Sequence, residues 1–89
     1  MEISIDGNSI ANEAEFHKIL KQELELPHYY GENLDALWDC LTGWVDLPLK
    51  VIWLNYKIDQ KKLGDFSVRI ESFFNDVCIN INEFEIEYR

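Results

Sequence analysis

The chain has 89 residues, 8 Lys plus Arg against 17 Asp plus Glu, and a formal charge of −9. Apolar residues make up 47% and aromatics 13%, which is too much buriable side chain for a disordered acidic tail. The length allows one small domain, residues 1–89, and the acidity excludes a face built to meet phosphates of nucleic acid or anionic lipid. Two cysteines, Cys40 and Cys78, make no disulfide framework. The start lacks a basic n-region and an apolar h-region, and no apolar run reaches membrane-spanning length. These features predict a cytoplasmic protein with reduced thiols.

Residues 2–6 alternate polar and apolar, the pattern of a half-buried strand, and Gly7-Asn8 ends it. Asn12 is placed to cap a helix over 13–25, in which Phe16, Ile19, Leu20 and Leu24 recur at helical spacing. Pro27 and Gly31 punctuate a loop. Asn33 is placed to cap a second helix with Leu34, Leu37 and Leu41 on its buried stripe and Gly43 as its stop. The apolar run 49–54 reads as a strand covered on both sides along most of its length. A short helix is predicted over 56–63. A longer one follows, capped by Asp65, with Phe66, Ile70, Phe73, Phe74 and Val77 on one face. Residues 83–88 alternate strictly and read as a last strand.

Three strands separated by helices predict an α/β fold with a parallel sheet and right-handed crossovers. The first and last strands each have a polar face and the middle one is nearly all apolar. The expected arrangement is therefore two-layered, in strand order 1-2-3, with helices mainly on one face.

Charge is unevenly placed. Residues 1–46 hold ten acids and two bases, a net of −8. From Gln22 to Leu49 there is no Lys or Arg, but there are six acids interleaved with Tyr29, Tyr30, Trp38 and Trp44. Acids alone would serve solubility. Aromatics among them point to a binding surface, where Trp and Tyr are enriched.

On the second helix Asp35 and Asp39 fall one turn apart on the polar side, with Trp38 at its boundary. Like charges at this spacing cost about 0.2–0.5 kcal/mol. A paired-carboxylate glycosidase would need an apolar pocket to raise one pKa, which a short exposed helix lacks. A divalent-metal site would need ligand spacing that neither EF-hand logic nor His17 and His28 supply, and both histidines read as ordinary surface. No cofactor is implied. A protein-binding face whose acids enter a cationic cleft fits best. Cys40 reads as a partly buried small hydrophobe.

The segment Tyr29-Tyr30-Gly31-Glu32-Asn33-Leu34-Asp35-Ala36-Leu37-Trp38-Asp39, within 23–49, closely resembles the barstar family of inhibitors of secreted, barnase-like ribonucleases. The resemblance continues more weakly through Gly7, Pro48 and Trp53. It implies a three-stranded parallel sheet with helices and a non-catalytic role, in which the second helix and the loop before it plug a nuclease active site as a 1:1 complex. By residue, Asp39 would occupy the phosphate site, Asp35 would meet another cation, and Tyr29 would pack on a catalytic histidine. Asn33, Trp38, Thr42, Gly43 and Trp44 would shape the contact, and Asp76 would make a peripheral one. The family carries a glutamate where Asp76 stands, an acid near Asn80 and a cysteine near Asn82. Cys78 is additional, and 55–72 aligns poorly. The resemblance also implies a cis Leu47-Pro48 bond. The rival reading is an acidic interaction module with no nuclease target.

Overall fold

The computed structural model describes all 89 residues. Strand β1 spans Glu2–Asp6, and helices α1 and α2 span Glu13–Glu23 and Leu34–Gly43. Strand β2 spans Leu49–Leu54, helices α3 and α4 Tyr56–Leu63 and Asp65–Asn80, and β3 Phe84–Tyr88. A single 3-10 turn, Gly7–Ser9, which the sequence pattern did not reveal, follows β1. The sheet has the order β1-β2-β3 and both pairings are parallel.

Register explains the strand patterns. Ile3 pairs with Val51 and Val51 with Ile86, all facing the helices. On the opposite face Ser4, Ile52 and Glu87 lie side by side, and Lys50 sits between Glu2 and Glu85. The outer face of β2 is thus covered by side chains of its neighbours, not by a helix. Ile52 is buried there yet stands apart from the main core. That core joins the inward strand residues to Phe16 and Leu20 of α1, Leu37 and Leu41 of α2, and Phe66, Ile70, Phe74 and Val77 of α4. Each large apolar side chain fully buried in it contributes roughly 1.5–3 kcal/mol.

Both asparagine caps form. Asn12 Oδ1 accepts from the Glu15 amide at 2.9 Å and Asn33 Oδ1 from the Ala36 amide at 2.8 Å. Three boundary expectations are corrected. Asp65 is the first residue of α4 and not its cap. Gly64, at φ 55°, occupies the cap position, and its carbonyl accepts from the Ser67 hydroxyl at 2.6 Å. α1 stops at Glu23, two residues early, because Glu25 turns into the left-handed region at φ 50°. The Glu25 and Leu26 amides then donate back to the Gln22 and Lys21 carbonyls, which satisfies the frayed end as a glycine usually does. Strand β3 begins at Phe84 instead of 83. Helix α2 ends at Gly43 as expected, and the Trp44 and Val45 amides both donate to the Cys40 carbonyl. The Leu47-Pro48 bond is cis.

A larger correction concerns His17. It is fully buried, not surface, and its Nδ1 shares a hydrogen bond of 2.5 Å with the Tyr30 hydroxyl. Burial holds its pKa below the ordinary histidine value. Across Phe16 in the same core Trp53, the largest fully buried side chain, donates its indole N–H to Asp59 at 2.6 Å. Beside them, a side chain on Gly7 would meet the Asn55 carbonyl at 2.5 Å and the Asp59 carboxylate at 2.9 Å. Only a bare backbone fits where β1 leaves the sheet.

Candidate protein-binding face

The loop 24–33 and α2 form one surface, and several contacts hold it. The Tyr30 amide donates to the Pro27 carbonyl at 2.9 Å, closing a turn that leaves Tyr29 71% exposed while Tyr30 points inward to His17. Lys21 Nζ donates to the His28 carbonyl at 3.2 Å, tying the loop to α1. Trp44 Nε1 donates to the Glu25 carbonyl at 3.2 Å, tying the loop to the end of α2. Glu32, like Glu25, is left-handed, at φ 52°. Non-glycine residues held there cost about 1–3 kcal/mol each, so the loop's shape is maintained by its surroundings.

Asp35 and Asp39 are exposed on α2, one turn apart. The protein has two ion pairs, Arg69–Glu13 and Arg89–Glu87. Neither touches the acids between Gln22 and Leu49, so that face carries its charge without neutralisation. The Asp39 charge adds to burial in raising the thiol pKa of neighbouring Cys40. Tyr29 and Asp39 share the rim of a depression of 180 Å³, whose lining includes Pro27, Tyr30, Ala36 and Cys40. A concave apolar floor with one carboxylate and one exposed tyrosine suits a flat cationic side chain.

The other expected residues divide into groups. Trp38 is half-buried and packs edge-on against Phe73 of α4, ring centroids 6.2 Å apart. Asp76 lies one turn beyond Phe73, exposed, so α4 borders the face through this contact. Asn33 and Thr42 are committed internally. Besides capping α2, Asn33 donates to the Gly31 carbonyl at 3.3 Å, and the Thr42 hydroxyl donates to the Trp38 carbonyl at 2.8 Å. Their visible role is to position α2. Gly43 is exposed with open space around its Cα. Trp44 is 51% exposed and lies on a separate groove with Glu25 and Asp46. The sequence reading missed Tyr30 and His17 as supports of the loop. Their signal was weak, a Tyr-Tyr pair of which only one can face outward. No cluster of His, Cys, Asp or Glu is arranged to hold a metal ion. No helix is long and apolar enough to cross a membrane.

Comparison with known families places the chain. Residues 1–89 match the family described as Barstar (barnase inhibitor). The chain belongs to the barstar family. It is also 50% identical over 66 residues to a Bacillus subtilis (strain 168) protein named "Putative ribonuclease inhibitor YrdF", an alignment covering 74% of this chain and 72% of that relative. The parallel order β1-β2-β3 with four helices agrees with the fold expected of a barstar-like chain. Within this barstar-family chain, Asp35 and Asp39 lie exposed on α2, and Asp39 lines the depression beside Tyr29.

Proposed function

We propose that this chain inhibits a barnase-like extracellular ribonuclease by occluding its active site as a 1:1 complex, protecting the cell that makes both. The observation that carries this reading is the Tyr29–Asp39 depression, built from a stretch, Gln22 to Leu49, that contains no Lys or Arg. A ribonuclease must present cations to a phosphodiester. A carboxylate held rigidly on a helix offers those cations charge-assisted hydrogen bonds without a bond to cleave. In this reading Asp39 fills the phosphate position, Asp35 meets a second cation, and Tyr29 stacks on a catalytic imidazole. Trp38, Gly43 and Trp44 supply shape, Asn33 and Thr42 hold α2 in place, and Asp76 contacts the rim. The inhibitor acts in the cytoplasm, before the nuclease is secreted.

The test follows RNA cleavage by barnase-type ribonucleases as the chain is added. Near-stoichiometric loss of activity is expected. Activity untouched for every such nuclease would leave an acidic interaction module with another target. In the same assay Asp39→Asn should weaken inhibition far more than Glu2→Gln, which removes the same charge from the open face of β1. Equal losses would reduce Asp39 to a share of the net charge.

A further inference from the structure

The groove beside Trp44 includes Glu25 and Asp46, to which no ribonuclease contact is assigned above. It has a volume of 310 Å³ and is lined by Met1, Leu24, Glu25, Trp44, Val45 and Asp46. Four of the six lining residues are apolar, but Leu24 is buried and Val45 half-buried, so the surface the groove exposes is more polar than apolar. Glu25 and Asp46 supply two carboxylates, neither in an ion pair. The Met1 ammonium donates to the Pro48 carbonyl at 2.7 Å and leaves one positive charge at the edge of the groove beside the two carboxylates. Trp44 forms a wall that does not swing freely, because its indole N–H is held by the Glu25 carbonyl. The left-handed turn at Glu25 places this carbonyl against the indole and makes Glu25 part of the groove's lining.

We propose that this groove is a second socket of the inhibitory face and takes one arginine side chain from the surface of the ribonuclease. The inference rests on the ribonuclease reading and adds Glu25 and Asp46 as residues that select among nucleases. An aliphatic stem packs on Val45 and Leu24, and the guanidinium stacks on the indole and meets the two carboxylates. Arginine fits better than lysine because its planar, weakly hydrated head gains from both stacking and paired acceptors. The socket continues the acidic face, since Trp44 closes α2, the helix that carries Asp35 and Asp39. A nuclease with an arginine opposite this point is held longer than one without it.

The experiment measures association and dissociation rates with a barnase-type ribonuclease that the wild-type chain inhibits, comparing Glu25→Gln with Glu23→Gln. Both variants lose one charge close together, so long-range steering falls equally. The expected result is about a five- to tenfold faster dissociation for Glu25→Gln and little change for Glu23→Gln, as for loss of a desolvated partner against a rim charge. An alanine scan of the nuclease's surface arginines should find one whose removal abolishes the difference. Equal dissociation rates for the two variants, or no coupled arginine, would overturn the socket while leaving inhibition itself standing. Failure of the wild-type chain to inhibit any barnase-type nuclease would overturn the functional reading and the socket together.

Discussion

Two buried polar pairs hold different parts of this protein. Beneath the candidate face, His17 shares its hydrogen bond with Tyr30, and at the exit of the sheet Trp53 donates to Asp59. In each pair the titratable residue is fully buried and one of its atoms, His17 Nε2 or Asp59 Oδ1, has no partner. The surroundings differ. Trp53 and Asp59 both sit in regular elements, Trp53 stacked on Phe16 at 5.4 Å and Asp59 backed by the bare Gly7. Tyr30 lies in a loop without regular structure, and its hydroxyl is one of few anchors that reach from the loop into the core. The scaffold is thus fixed by packing, while the loop 24–33 hangs from a small number of polar tethers.

Filling the space at Gly7 should do the most damage. Gly7→Ala forces a methyl against the Asn55 carbonyl and should cost about 3 kcal/mol in urea unfolding, the upper part of the range for overpacking. Its effect should spread through the whole domain, with hydrogen exchange accelerated in β1 and β2. A purely local change would show that the two strand exits can separate cheaply.

Removing the Tyr30 hydroxyl should cost less and stay local. Tyr30→Phe leaves the His17 ring without a partner on either nitrogen, a loss of about 1–3 kcal/mol. Exchange should quicken in residues 24–33, and dissociation from a ribonuclease should speed up as Tyr29 loses its support. If global stability falls with the loop still protected, the tether reading is wrong.

Acidification should separate the pairs most finely, because their linkages have opposite signs. His17 has a folded pKa below its ordinary 6.5, set by burial and only partly opposed by the charges of Glu13 and Glu32. Its contribution is complete above that value and is lost as pH falls through the folded pKa. Asp59 has a folded pKa above its ordinary 3.8, raised by burial against the Trp53 hydrogen bond and Lys62. Its contribution is complete below 3.8 and is lost as pH rises through its folded pKa. Stability measured by urea titration should therefore show two opposed slopes. His17→Gln should remove the slope just below 6.5, and Asp59→Asn the one just above 3.8. A single shared slope would contradict the assignment.

Much of this architecture was legible from residue pattern. Asn12 and Asn33 marked helix starts because an amide side chain satisfies a free backbone donor, a rule that needs no tertiary information. Alternation in 2–6 and 83–88 marked edge strands, and the apolar run 49–54 marked the centre. His17 and Tyr30 were illegible because their pairing joins residues from a helix and a loop that only the fold brings together. Asp65 misled because an acid in the first turn and an acid at the cap look alike in sequence. Its neighbour Gly64 took the cap through its backbone conformation. The acidic face was legible as charge, but the grooves on either side of α2 depend on the left-handed turn at Glu25, which no residue preference announces.

Cys40 lines the Tyr29–Asp39 depression from below, while Cys78 sits on α4, and neither is bonded to the other. Both thiols are held above their ordinary pKa, chiefly by burial. Their slow chemistry makes them clocks. A mild alkylating reagent would mark buried Cys40 chiefly when α2 or the loop above it moves, whereas half-buried Cys78 reacts from the folded state and serves as the internal reference. The ratio of the two labelling rates would then read how often the candidate face opens, without any engineered probe.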